Sequence, residues 1–374
     1  MNKTPIEWTN YSSNPFKALH KAARYERDQE GRLVCVKCGM PRERSTDLFN
    51  ICVKISPGCA RCYAATLTHR WGGPDYVKKS LECFEPVLVE KELEKILRCT
   101  LHADQRMVFP FDMTDIFLEF WPDEFIDRFF AVAALRPDLI FQVLTKRAER
   151  MYRYCTEASG SRHPTHRDNG FCIEREICIR RAYQSFGKDK ASAISFPFPN
   201  VWLGVSVEDQ DTADERIPWL LRTPAALHWV SYEPALSLVD FTRYLGPSYT
   251  SCQQKNTSTI ARLARAAAEH HGESYLDWIV IGGESGPGAR PFDIQWARDC
   301  IAQCKAAGVA CFVKQVGAHS VITEEQWAKE FHGSIKLENS HWRWVTTDKK
   351  GGDINEWPVD LRVREFPEIA RIGR

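Results

Sequence analysis

No stretch of the chain approaches the eighteen or more apolar residues that a membrane-spanning helix needs, so a membrane protein is not expected. The opening MNKTPIEW carries no basic-then-apolar leader, and the expected compartment is therefore a reducing cytoplasm. Charge of one sign is also lacking. With a net charge of +1 at pH 7 there is no global basic field to hold nucleic acid and no acidic excess to keep the chain disordered. Any polyanion site would be a local patch. No Gly-, Pro- or Ser-rich linker and no internal repeat divides the 374 residues, which leaves a single domain over 1–374 as the expectation.

Cysteine, by contrast, is plentiful: there are fourteen, and in a reducing compartment they read as metal ligands or core thiols, not disulfides. Three of them, Cys52, Cys59 and Cys62, fall in one loop, CVKISPGCARCY. Ser56-Pro57-Gly58 shapes that loop, because proline fixes φ and glycine permits φ > 0. Tyr63 then opens a helical stretch. A 4Fe–4S cubane is usually held by four cysteines, so three alone leave one iron open to a small molecule, whereas structural zinc wants a closed set of four ligands. Cys35-x2-Cys38 followed by Cys59-x2-Cys62 also matches a zinc ribbon, with Cys52 left over. A third reading puts a cluster on Cys52, Cys59 and Cys62 and zinc, or nothing, on Cys35 and Cys38. Most of the remaining cysteines read as inert core residues.

Short apolar runs recur at 107–111, 139–144, 201–205, 227–231, 278–282 and 310–313, with amphipathic segments such as 122–135, 212–221 and 294–307 between them. Alternating strands and helices predict βαβ units around a parallel sheet. Counting the run at 48–51 before Cys52 gives seven strands, and the expected fold class is α/β, a full or partial parallel (β/α) barrel of the TIM type. Residues 6–16 read as an irregular lead-in anchored by Trp8 and Phe16. Residues 17–48 read as a charged, solvated insertion carrying the first cysteine pair, 151–200 and 239–276 as further insertions, and 324–374 as a hairpin appendage that turns at 349–352.

In a parallel barrel the chemistry sits at the carboxyl ends of the strands. The first polar residues after the apolar runs are Asp112, Thr114 and Asp115, then Thr145, Lys146 and Arg147, Glu208 with Asp209, Glu233, Glu284 with Ser285, and Lys314 with Gln315. Charged groups at one rim suggest a charged ligand, although each could equally close an ion pair. Gly282-Gly283-Glu284-Ser285 could offer backbone N–H groups to a ligand, but the loop lacks the Gly-Lys-Ser/Thr of a P-loop and could be no more than a tight turn. Residues 147–190 are rich in Arg with aromatics interleaved, as a phosphodiester contact or a solvated helix would be.

Several segments together, IEWT with Asn14-Pro15, VKISPGCARCYA, DMTDIF around Asp115, LTKRAERM, NVWLGVSVEDQ, VSYEPAL, WIVIGGESGPGARP, FVKQVGA and GGDINEWPVDLRVREFPE, resemble the three-cysteine-motif bacteriophage protein family, a group regarded as radical-SAM-like. The resemblance implies a 4Fe–4S cluster on Cys52, Cys59 and Cys62. It also implies S-adenosylmethionine held near Gly282, Gly283, Glu284 and Ser285 with Tyr63 beside the last cysteine, cleavage to a 5′-deoxyadenosyl radical, and an electron-donor partner. Asp115, Lys146, Glu208, Glu233 and Lys314 would line the substrate side. The substrate expected is a nucleic-acid base, DNA or a nucleotide, with a peptide or protein partner as the alternative. The opposing class is a non-enzymatic zinc-ribbon protein that binds nucleic acid through 147–190.

Overall fold

Every apolar run read from the sequence becomes a strand. In this computed structural model, which describes the chain apart from residues 22–23, 45, 75, 77–80, 103, 158–163, 188–193, 195, 247–273, 323–334, 339–340 and 369–374, the architecture is mixed α/β and its large sheet is mostly parallel. No closed barrel is found among the described residues. The chain divides into two compact units, 1–203 with 223–226, and 204–222 with 227–374.

In the first unit the strands of the large sheet are β1 (Asn2–Lys3), β2 (Tyr11–Ser13), β8 (Met107–Pro110) and β9 (Ile140–Thr145), in that order. β1 runs antiparallel to β2, while β2, β8 and β9 are parallel, with Tyr11 opposite Val108 and Met107 opposite Ile140. The expected irregular lead-in is thus corrected: Tyr11-Ser12-Ser13 has no apolar run to announce it, yet it is a strand of the main sheet with Ser12 and Ser13 buried. Helix α3 (Asp123–Leu135) starts on Pro122 with two acids in its first turn, as the helix dipole favours, and buries Ile126, Phe129 and Phe130. Asn200 Nδ2 lies 3.0–3.1 Å from the carbonyls of Ala133, Arg136 and Leu139 and so satisfies the end of that helix.

A second sheet in this unit has the order β6 (Leu48–Phe49), β3 (Phe16–His20), β7 (Phe84–Leu88), all antiparallel, and β4 (Tyr25–Arg27) pairs with β5 (Leu33–Cys35) as a ribbon. Two expectations change here. The run before Cys52 belongs to this small sheet and is not a seventh parallel strand. The charged insertion is also not wholly solvated, because Phe16, Ala18 and His20 alternate inward along β3.

β10 (Val201–Ser206) spans the division between the units. In the second unit β11 (His228–Tyr232), β12 (Trp278–Gly282) and β14 (Ala310–Gln315) are parallel. Helix α7 (Ile294–Ala307) connects the last two; the Asp293 side chain accepts from Gln295 N at its start, and Gly308 ends it at φ 70°. β13 (Phe292–Asp293), β15 (Ser320–Ile322), β17 (His341–Trp344) and β16 (Ile335–Glu338) form a separate sheet in that order. The appendage therefore contains a hairpin, β16 with β17. The turn read at 349–352 follows β17 instead of joining the pair, and the true connection, 339–340, lies outside the described residues, as does most of the insertion at 239–276.

Candidate metal centres

The three-cysteine loop is held at the carboxyl ends of β8 and β9. Leaving β6, the chain buries Ile51, whose carbonyl accepts from the Thr114 hydroxyl. Arg147 Nη2 donates to the Val53 carbonyl (3.3 Å). Cys59 lies in a 3-10 turn over Pro57–Arg61, and Cys62 is the N-cap of α1 (Tyr63–Arg70). Cys52 and Cys62 both pack on Ala64, Tyr76 and Met113.

Polar groups from the strand ends surround the loop. Asp115 Oδ1 accepts from the Thr145 hydroxyl (2.7 Å) and Phe117 N (2.9 Å); Oδ2 accepts from Lys146 N (3.0 Å) and Arg147 Nη1 (3.1 Å). Lys146 Nζ reaches Ser56 Oγ at 3.3 Å, and Ser56 Oγ lies 3.6 Å from Cys59 Sγ. The two charges act on different thiols. Burial, and then the negative charge of Asp115, push the Cys52 thiol up to about 12. Burial also works against ionising Cys59, but the Lys146 ammonium, the N–H groups of Ile55 and Ser56 and the Ser56 hydroxyl outweigh it and hold that thiol below its usual range. Tyr63 donates to the Asp112 carbonyl (2.6 Å) and Asn14 grips the same loop through Asp112 Oδ1 (2.5 Å) and Met113 N (3.0 Å). So the first unit brings Tyr63, Asp115 and Lys146 together with the three cysteines. Arg147, one of the polar residues read after β9, joins them, and so does Asn14, which was not singled out for the site.

The remaining strand-end residues lie in the second unit. Lys314 Nζ pairs with Glu233 Oε1 at 3.1 Å. A Cβ on Gly282 would lie 2.7 Å from that same oxygen, the end of a side chain, and one on Gly283 would lie 2.9 Å from Phe292 Cβ and 3.0 Å from the Gly317 backbone; close packing thus accounts for Gly283. Glu284 is gripped by Arg290, through the backbone N (2.9 Å) and Nε (3.1 Å). Glu208 is wholly buried against Arg216 Nη1 (3.0 Å). Ser285 is exposed.

Two other groups have ligand atoms that all lie within 4.8 Å of one another and could hold a metal ion. Cys300 and Cys304 on α7 meet Cys311 on β14, all buried; hydrogen bonding among the thiols, with burial, holds all three far above the usual thiol range. The other group is His20, Cys35, Cys38 and Cys83. Cys35 and Cys38 thus find partners in His20 and Cys83, and Cys59 and Cys62 lie outside that set. Every described cysteine is free.

The basic stretch is largely paired. Arg150 and Arg175 bind Asp123, Arg175 also binds Asp127, Arg153 binds Glu149, and Arg167 and Arg180 share Glu176. Arg175 and Glu176 on α5 (Ile173–Ser185) are themselves buried. No helix among the described residues is long and apolar enough to cross a membrane.

The family model described as a protein of unknown function, DUF5131, matches residues 43–345. No curated protein and no solved structure matches the chain.

Proposed function

Because the chain belongs to the DUF5131 family, whose function is unknown, its chemistry has to be read from its own residues, and we propose that it is a radical-SAM-like iron–sulfur enzyme with its cluster on Cys52, Cys59 and Cys62. The observation that carries the reading is the three-thiol loop, clamped by Arg147 and Thr114 at the carboxyl ends of two parallel strands. The donor set fits the group. It is three soft thiols with no fourth cysteine or histidine in the loop. When bound, such a cluster supplies single-electron reduction of S-adenosylmethionine at the iron the protein leaves open.

The chain's own residues then have definite tasks. Lys146 favours the ionised form of Cys59, the form that ligates iron. Asp115 fixes the turn after β9 by accepting from Thr145, Lys146 and Arg147, and Arg147 passes that order to the loop backbone at Val53. Glu284, committed to Arg290, braces the Gly-rich loop. The Glu233–Lys314 pair supplies a carboxylate and an ammonium at strand ends of the second unit. The proposal is one of cofactor chemistry; most of the described cations of 147–190 are held by carboxylates and lend it little support as a nucleic-acid surface.

The test is anaerobic reconstitution with iron and sulfide, followed by dithionite and S-adenosylmethionine. Formation of 5′-deoxyadenosine that disappears in Cys62→Ala is the expected result. A protein that stays colourless and yields none would overturn the reading.

A further inference from the structure

We infer that His20, Cys35, Cys38 and Cys83 form a closed structural zinc site, separate from the three-cysteine loop and independent of how that loop is read. Four donors converge from four places in the chain: His20 ends β3, Cys35 ends β5, Cys38 follows in the turn, and Cys83 precedes β7. Lys21 N donates to the Cys83 carbonyl at 2.6 Å, which fastens the end of β3 to the start of β7 and sets two of the donors side by side. The turn that presents the other two is also built for the purpose. Gly39 takes φ 73°, its N–H donates to the Cys35 carbonyl (2.8 Å), and Cys35 N donates to the Met40 carbonyl (2.9 Å), so the chain folds back around Cys35.

The distances match a tetrahedral ion. With Zn–S near 2.3 Å, two sulfurs at tetrahedral corners stand about 3.8 Å apart, and Cys35 Sγ and Cys83 Sγ are 3.7 Å apart. His20 Nε2 lies 3.2 Å from Cys38 Sγ. The residue is 2% exposed, and the polar neighbour of its Nε2 is the Cys38 sulfur. A buried ring whose polar neighbour is sulfur is poorly served by hydrogen bonds and well served by a metal. Three thiolates and one imidazole, with no place left for water, are a structural zinc set, not a catalytic one.

The site's task follows from the strands it joins. It ties the β4–β5 ribbon to the end of the β6–β3–β7 sheet, and β6 is the strand from which the chain runs to Cys52. Zinc therefore holds in register the small sheet that delivers the three-cysteine loop.

The test is metal analysis of the full chain purified anaerobically, as wild type, Cys83→Ser and Cys59→Ser. Zinc equimolar with the chain in the wild type and in Cys59→Ser, and at background in Cys83→Ser, is the expected pattern. Zinc absent from the wild type, or zinc that follows Cys59 and not Cys83, would contradict it. Should Cys83→Ser fail to fold, zinc-edge X-ray absorption on the wild type decides: a shell of three sulfurs and one nitrogen agrees, and a shell of four sulfurs overturns the assignment.

Discussion

Removing one partner of a buried ion pair leaves the other charge uncompensated, at a cost of about 3–5 kcal/mol. Arg147 and Asp115 are such a pair, each nearly inaccessible. Arg147→Met is therefore expected to lower unfolding stability by about that amount in urea titrations, and to release the three-cysteine loop at Val53. Lys146→Met should behave differently. Its ammonium acts on Cys59 through space, so the fold measured by circular dichroism should persist while resistance of bound iron to a chelator falls about tenfold or more, as for other groups that tune a ligand from outside the metal's shell. At this scale the sequence exposes Cys52, Cys59 and Cys62 because they share one short loop. His20 and Cys83 are hidden in it because a metal site gathers residues from distant segments, and no local spacing links them. The one local sign of His20 is the alternation in FKALH, which puts a histidine on the inward face of a strand.

The element scale is where glycines and caps can be tested. Asp293 caps α7 through Gln295 N (2.9 Å), and Asp293→Ala should cost about 1 kcal/mol in thermal or urea unfolding. Gly283→Ala should cost more, about 1–3 kcal/mol, because the new methyl would meet Phe292 at 2.9 Å and the Gly317 backbone at 3.0 Å. An unchanged unfolding midpoint for Gly283→Ala would mean that the loop can relax, and that ligand approach has to explain its glycines after all. Elements with a continuous apolar run were legible, β12 to the residue and the others within a residue or two at an end. β2 was not, because its burial comes from the strands and side chains around it and not from its own composition. β6 was visible as a strand, but a two-residue strand does not reveal which sheet it joins.

At the scale of the whole molecule the chain divides into two compact units, and the division passes through β10, inside a strand, so no flexible or Gly-rich segment marks it. Each unit carries its own group of charged residues at strand ends, Asp115, Lys146 and Arg147 in the first and Glu233 with Lys314 in the second. The central claim concerns the first of these, and the electron paramagnetic resonance spectrum of the anaerobic, dithionite-reduced full chain tests it most directly. The account predicts the signal of a reduced 4Fe–4S cluster that changes on addition of S-adenosylmethionine and is lost in Cys52→Ala. The absence of any cluster signal from reconstituted wild type, or a signal that survives Cys52→Ala, would contradict it.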